Sequence, residues 1–290
     1  MNKNYLAPKE IVEAVINVGK AKAENRFLPL LILGILAGAF IAFAAQGSSM
    51  AAFNLLLGID TFGLGRALAG AVFTVGLMLV IVTGAELFTG NTLICLAVYE
   101  KKVTIGGMLR NWGIVYVGNL IGALIIVFMV AQTGLLHSNY DELGRLTVTI
   151  ALNKVNMSFG AALFSGILCN WLVCLAVWMA TAANSVTGKL LAAFFPIWLF
   201  ATSGFEHCVA NMYYIPAGIL AKAQYGGFWE PGGLDSLNWG TFFTGNLIPA
   251  TIGNIIGGVL FVGTAYWLAL YRTSKKSKKT QGGESVESYD

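Results

Sequence analysis

Long apolar runs separated by short polar segments dominate the pattern of this chain. An apolar helix of about 20 residues crosses the hydrocarbon core of a bilayer, and six runs are long enough to do so. Two of them, the second and the fifth, are too long for one straight crossing, and each carries an acidic residue near its middle. The predicted spans are Phe27–Gln46, Arg66–Val98, Met108–Thr133, Met157–Ala183, Leu190–Ala221 and Thr241–Tyr271.

The composition agrees with a membrane protein and excludes the soluble classes. Hydrophobic residues make up 57% of the 290 residues and charged residues 11%, against about a quarter charged in an ordinary soluble domain. Intrinsic disorder and a disulfide scaffold are excluded on the same grounds. The four Cys all fall within apolar runs, where they serve as small packing residues. We expect no metal site and no cofactor.

The basic residues indicate how the chain sits in the membrane. Six spans place both termini on one side, and cytoplasmic flanks are enriched in Lys and Arg. All of the 18 Lys and Arg residues except Arg66, Arg145, Lys154 and Lys222 flank the side that holds the termini. We therefore expect a multi-pass protein of the cell membrane with both termini in the cytoplasm. The net charge is only +4, which argues against nucleic-acid binding.

Three regions follow from this pattern. Residues 1–26 form a cytoplasmic amphipathic segment whose helix, over 8–25, lies in the membrane interface with Ile11, Val12, Val15 and Val18 on one apolar face. Residues 27–271 form the six-span domain. Residues 272–290 are polar, basic and then acidic, and we expect a disordered cytoplasmic tail.

The two halves of the six-span domain share internal motifs. The second span contains Gly84–Asn91 and the fifth contains Gly204–Asn211, and both read Gly-x-Glu-x4-Asn. Asn and Gly positions of the third span recur at the same spacing in the sixth: Asn111, Gly118, Asn119 and Gly122 match Asn246, Gly253, Asn254 and Gly257. We interpret residues 27–133 and 157–271 as two copies of a three-helix unit. Because three is odd, the second copy is inverted, which is typical of channels and transporters.

The repeat also suggests why acids stand at membrane depth. An unpaired charge there is costly, and interrupting a helix frees backbone N–H groups that a carboxylate can accept. The Gly before Glu86 and before Glu206 permits a turn, and Asn91 and Asn211 can bond freed backbone groups. We therefore predict two helix breaks braced by these four residues. Direct contact of the acids with a substrate is the alternative.

Four segments have a distinctive sequence: Gly84–Asn91, Gly160–Ala180, Ser203–Pro216 (SGFEHCVANMYYIP) and Asn246–Gly263 (NLIPATIGNIIGGVLFVG). Together they resemble the formate/nitrite transporter family of anion channels, over about residues 10–271. The resemblance implies an all-α, aquaporin-like architecture of six transmembrane helices, with the second and fifth broken. It also implies a homopentamer in the lipid bilayer, in which each protomer has its own pore and the loop of the second helix helps to gate it.

The same resemblance assigns roles to individual residues. His207 corresponds to the central pore histidine and Thr89 to the loop threonine that hydrogen-bonds it. Asn170 and Lys154 correspond to polar residues near the pore and in its outer vestibule. The apolar constriction positions are Phe73, Leu77, Phe88, Val173 and Phe200.

These residues lead us to expect passage of a small monovalent weak-acid anion, most readily formate, with nitrite or hydrosulfide as alternatives. A bare carboxylate in an apolar throat is costly, and one proton removes most of that cost. His207 could donate a hydrogen bond or a proton, and Lys154 could concentrate the anion. An aquaporin-like pore for neutral solutes is the alternative of another class, although its Asn-Pro-Ala signature is absent. We find no constellation typical of an enzyme.

Overall fold

The computed structural model describes residues 5–273, and the predicted tail from 274 onward lies outside this range. Helices account for most of the described chain, and their lengths follow the apolar runs of the sequence. We number them in chain order. They are α1 (Pro8–Glu24), α2 (Phe27–Leu56), α3 (Phe62–Thr83), α4 (Phe88–Tyr99), α5 (Ile105–Gln132), α6 (Glu142–Val155), α7 (Phe159–Ala182), α8 (Val186–Ser203), α9 (Cys208–Tyr225) and α10 (Trp239–Arg272).

Among the described residues, six helices are long and apolar enough to cross a membrane, which confirms the predicted number of spans. They are α2, α3, α5, α7, α8 and α10. The first span is longer than predicted, because α2 continues beyond Gln46 to Leu56. The last helix runs through the predicted boundary at 271 and contains π-helical stretches.

Close helix contacts depend on glycine at the positions that the repeat singles out. A Cβ on Gly122 of α5 would overlap the carbonyl oxygen of Ile35 in α2, and a Cβ on Gly257 of α10 would overlap that of Ile167 in α7. Small residues let backbones approach closely where lipid supplies no hydrophobic driving force. The first and third helices of each half therefore pack against each other in the same way.

Helix α1 packs against protein along its apolar face, where we expected contact with the membrane interface. Ile11, Val12, Val15 and Ile16 are buried in a cluster with residues of α4, α7 and α10. Val18, which we predicted on this face, is 46% exposed. The helix therefore covers one end of the bundle and places its last turn next to the first helix break.

Helix α6 is a further difference from the sequence interpretation, which treated this region as a loop. Its buried positions include Leu143, Leu146 and Ala151, and it packs against α9 as Gly218 approaches Ala151. The helix carries Lys154 in its last turn. It therefore brings a basic side chain to the second break, as α1 does at the first.

Candidate functional site

Two interruptions of the helical backbone face each other near the centre of the bundle. Helix α3 ends at Thr83 and is capped by Gly84, α4 starts at Phe88, and residues 85–87 between them are extended or irregular. Helix α8 is likewise capped by Gly204, and α9 starts at Cys208. Both glycines are left-handed, with φ of 77° and 82°, a region that non-glycine residues rarely adopt.

Two asparagines satisfy the backbone groups that these interruptions free. The Oδ1 atom of Asn119 accepts the N–H of Phe88 at 3.0 Å, and its Nδ2 donates to the carbonyls of Glu86 (2.9 Å) and Gly34 (2.7 Å). Asn254 makes the equivalent set. It accepts from the N–H of Cys208 at 2.9 Å and donates to the carbonyls of Glu206 (2.9 Å) and Gly166 (2.8 Å). Each asparagine therefore ties its break to the first helix of the same half.

The first carboxylate is held by side chains, which differs from our expectation of backbone N–H donors. Glu86 is buried and its Oε2 accepts from Lys22 Nζ at 2.9 Å and from Asn91 Nδ2 at 2.6 Å. Asn91 Nδ2 also donates to Asn111 Oδ1. The ammonium group comes from α1, so the packing of that helix supplies the counter-charge.

The second carboxylate has the same kind of environment. Lys154 Nζ donates to Glu206 Oε1 at 2.7 Å, and Oε2 accepts from Asn211 at 2.7 Å and Asn246 at 2.8 Å. A buried carboxylate is tolerable when it is paired and its remaining lone pairs are hydrogen-bonded. Both glutamates thus lie within hydrogen-bonded polar clusters that fix the ends of the breaks. Asn91 and Asn211 act on the carboxylates, whereas Asn119 and Asn254 bond the freed backbone.

His207 caps the first turn of α9 with its ring. Its Nδ1 accepts the backbone N–H of Ala210 at 3.0 Å, and its Nε2 lies 3.0 Å from Thr89 Oγ1. A ring nitrogen that accepts a hydrogen bond carries no proton, so the neutral ring has its hydrogen on Nε2. This hydrogen points to Thr89, and the side chain links the second break to the first turn of α4.

Thr89 is itself fixed from the other side. Asn170 is fully buried, and its Nδ2 donates to the carbonyl oxygens of Thr89 (3.2 Å) and Asn254 (2.6 Å). Thr92 Oγ1 donates to the same Thr89 carbonyl at 2.7 Å. Asn170 therefore connects the first turn of α4 to α10, whose Asn254 side chain holds the second break.

A cavity of about 400 Å³ opens from one end of the bundle down to His207. We call it the vestibule. It is lined by residues of α2, α3, α6, α8, the second break and α9, among them Ser49, Arg66, Lys154, Phe200, Glu206 and His207.

Aromatic rings narrow the base of the vestibule. Phe73 and Phe200 meet edge to face at 5.8 Å between ring centroids, and Phe200 stacks on His207 at 5.9 Å. The other predicted constriction residues, Leu77, Phe88 and Val173, are buried outside the lining of this cavity. Phe88 packs edge to face on Tyr116 at 4.8 Å.

Sequence reasoning missed one charged group in this wall. Arg66 lies on the first turns of α3, and its Nε and Nη2 donate to the carbonyls of Thr202 (3.0 Å) and Ala201 (2.8 Å) at the end of α8. From the sequence it counted only as one of the four basic residues on the less basic side of the membrane. No signal at this single position distinguished it, because its partners lie in the other half of the chain.

Among the described residues, no group of three or more His, Cys, Asp and Glu side chains is placed to hold a metal ion. Cys95, Cys169, Cys174 and Cys208 are free and buried, in accord with packing roles.

Six apolar helices, two of them interrupted beside a deep cavity, are typical of a multi-pass membrane transport protein. The family model described as "Formate/nitrite transporter" matches residues 9–268, and the chain belongs to this family.

Several characterised and uncharacterised relatives are similar over nearly their whole length. An "Uncharacterized transporter YrhG" of Bacillus subtilis is 41% identical, covering 95% of this chain and 97% of its own. The "Formate channel FocA" of Escherichia coli K12 is 37% identical, covering 93% and 96%. The "Probable formate transporter" of Methanothermobacter thermautotrophicus is also 37% identical, covering 92% and 98%.

Solved structures are similar in fold. A structure titled "Pentameric formate channel with formate bound" has a TM-score of 0.73 at 34% identity and covers 83% of this chain and 96% of its own. An "FNT family ion channel" has a TM-score of 0.76 at 29% identity, covering 90% and 98%.

Proposed function

We propose that this protein is a channel for small monovalent anions of weak acids, with formate as its main substrate. The names of the relatives support formate. The observation that carries the proposal is the position of His207, whose Nε2 donor stands at the base of a vestibule that is otherwise narrowed by Phe73 and Phe200.

The physical problem at this point is desolvation. A bare carboxylate loses its hydration on entering an apolar constriction, at a cost of many kcal/mol unless hydrogen bonds replace the water. The Nε2–H of His207 now donates to Thr89 Oγ1, and it can donate this hydrogen bond to the anion instead. The threonine hydroxyl can then donate a second one. Formate, nitrite and hydrosulfide are small enough to be held by two such donors.

The cap on α9 bears on how a proton would move. If Nε2–H were transferred to the anion, Nδ1 would need to take up a proton to restore a neutral ring, and the N–H of Ala210 would lose its acceptor. Losing a helix N-cap costs about 1 kcal/mol. We propose that His207 mainly donates a hydrogen bond. Proton transfer requires the cap to open first, so that Nδ1 takes up a proton from water and the resulting imidazolium gives its Nε2 proton to the anion, which leaves a neutral ring.

The remaining assignments follow the family resemblance. We propose a homopentamer in the cell membrane, in which each protomer has its own pore and both termini are cytoplasmic. The two three-helix units, about 27–133 and 157–271, are then inverted relative to each other and the vestibule faces outward. Leu77, Phe88 and Val173 would constrict the path beyond His207, where the segment around Thr89 would move to open it.

Flux into proteoliposomes tests this function. Purified protein should accelerate uptake of isotopically labelled formate over empty vesicles, and unlabelled nitrite or hydrosulfide should compete if they share the path. Swelling assays with water and glycerol are the control. Vesicles that pass water or glycerol but none of the three anions would reject the anion channel in favour of a neutral-solute pore.

A further inference from the structure

The vestibule contains three charged side chains in its lining: Arg66, Lys154 and Glu206. Two of them cancel, because Lys154 Nζ and Glu206 Oε1 form an ion pair at 2.7 Å. Lys154, which the sequence suggested as the group that attracts the anion, is thus largely neutralised by its partner. The net positive charge of this wall therefore rests on Arg66.

The position of Arg66 gives its charge a second effect. The last carbonyl groups of a helix lack intrahelical partners and carry partial negative charge. The end of α8 lies at the vestibule wall, since Ala201 and Gly204 are among the lining residues. Arg66 donates to the carbonyls of Ala201 and Thr202. It therefore masks a negative helix end that would otherwise repel an entering anion.

The guanidinium group keeps hydrogen-bonding capacity for a ligand. It has five N–H donors in a planar fork, of which two are accounted for by the carbonyls of α8. The side chain is half-buried and borders the cavity. Fixed on one edge by backbone, it can present its other edge to a carboxylate without reorganising.

The arginine has no counterpart at the equivalent position of the second half. At the position in α8 that stands equally far before its break, the chain has Val186, which is 59% exposed. Arg66 is therefore not a part of the frame that the two halves share. Each half has one hydrogen-bonded cluster around a glutamate, Glu86 in the first half and Glu206 in the second. The arginine, in contrast, distinguishes the vestibule from the opposite end of the bundle.

We propose that Arg66 controls anion entry. Its charge raises the concentration of small anions in the vestibule, next to His207, and its hydrogen bonds also fix the end of α8. The inference rests on the proposed function, because it concerns the same permeating anion. It assigns to Arg66 the role that Lys154 would have if it were unpaired.

Formate uptake by Arg66→Gln and Arg66→Lys proteoliposomes tests this role. The matched control is Arg145→Gln, which removes an arginine that is paired with Glu142 outside the vestibule lining. Arg66→Gln should lower the uptake rate at formate concentrations well below half-saturation by on the order of fivefold. The rate at saturation should change less than about twofold, since the charge acts on entry. Arg145→Gln should behave as the wild type.

Ionic strength separates a role of the charge from a purely structural one. Salt screens attraction at the vestibule, so uptake by the wild type and by Arg66→Lys should fall as salt is raised, and uptake by Arg66→Gln should not. Equal salt dependence in Arg66→Gln and wild type would overturn the proposal, as would a salt-insensitive wild type. If Arg66→Gln cannot be purified, the salt dependence of uptake by the wild type and by Arg66→Lys tests the proposal, and salt-insensitive uptake by both would overturn it. A wild type that takes up no formate would instead contradict the proposed function.

Discussion

Replacement of Asn254 by leucine tests how the second helix break is held. The side chain is fully buried and makes three hydrogen bonds of 2.8–2.9 Å to backbone groups. Leucine has the same branching and the same number of side-chain heavy atoms, so the substitution acts mainly by removing these polar contacts. Asn119→Leu removes the equivalent three bonds at the first break, which makes the two variants an internal comparison.

The expected magnitude follows from these contacts. Three hydrogen bonds contribute about 1 kcal/mol each to stability, and a buried donor left unsatisfied costs about 1–3 kcal/mol. The N–H of Cys208 loses its acceptor. The carbonyl of Gly166 lies within helix α7, where a helical N–H can still serve it. We therefore expect each variant to lose about 3–5 kcal/mol of free energy of unfolding.

Denaturant unfolding of the purified protein in detergent micelles, followed by tryptophan fluorescence, measures this loss. Asn17→Leu is the control, because that asparagine is exposed on α1 and accepts a single hydrogen bond from Lys102, and its effect should stay within about 0.5 kcal/mol. The reasoning is refuted if Asn254→Leu loses less than about 1 kcal/mol of free energy of unfolding relative to the wild type. It is also refuted if Asn254→Leu and Asn119→Leu lose clearly different amounts.

Three further predictions concern the same region. Lys154→Met leaves the carboxylate of Glu206 buried without its counter-charge and should cost about 3–5 kcal/mol in the same unfolding assay; the reasoning fails unless the double variant with Glu206→Gln recovers most of this. Gly84→Ala, at a φ of 77° where an added Cβ meets no neighbour, should destabilise by about 1–2 kcal/mol, whereas Gly63→Ala, which also meets open space, should not destabilise; equal effects would be inconsistent with a strained turn. His207→Asn retains an acceptor for the N-cap, but the shorter side chain no longer places an N–H donor where the imidazole Nε2–H stands. Formate uptake should therefore fall at least about tenfold with little change in stability; unchanged uptake would exclude the imidazole from the path.

The positions of the breaks could be predicted from the sequence because they depend on local chemistry. A glycine followed by an acid within an apolar run is costly in a continuous membrane helix, and its recurrence at Glu86 and Glu206 made the pattern specific. The counter-charges could not be predicted in the same way. Lys22 and Lys154 lie 64 and 52 positions from their glutamates, and only the packing of α1 and α6 brings them near.

The roles of the asparagines show a related limit. The repeat revealed that Asn119 and Asn254 are equivalent, but equivalence does not say what a side chain touches. We expected Asn91 and Asn211 to bond the freed backbone, and they bond the carboxylates instead. An amide can serve either partner, and the choice depends on distances set by the tertiary fold.

The count of basic residues along the chain did not reveal the role of Arg66, for the same reason. In a tally of flanking Lys and Arg residues, it is one of a few basic residues on the less basic side. Its significance depends on the end of α8, which lies 135 residues further along the chain. Helix α6 was missed because its apolar pattern is short and it is flanked by polar residues.

Blocking the vestibule with a thiol reagent tests the central claim most directly, namely that the anion passes through this cavity to His207. The four native cysteines are buried, so the background of labelling should be low. Asn153→Cys places a thiol in the vestibule lining, and Asn139→Cys places one on an exposed surface loop outside it. We predict that a bulky methanethiosulfonate added to both sides of proteoliposomes stops formate uptake in the Asn153→Cys variant and leaves the Asn139→Cys variant unaffected. Full formate uptake through a completely labelled Asn153→Cys protein would contradict the account.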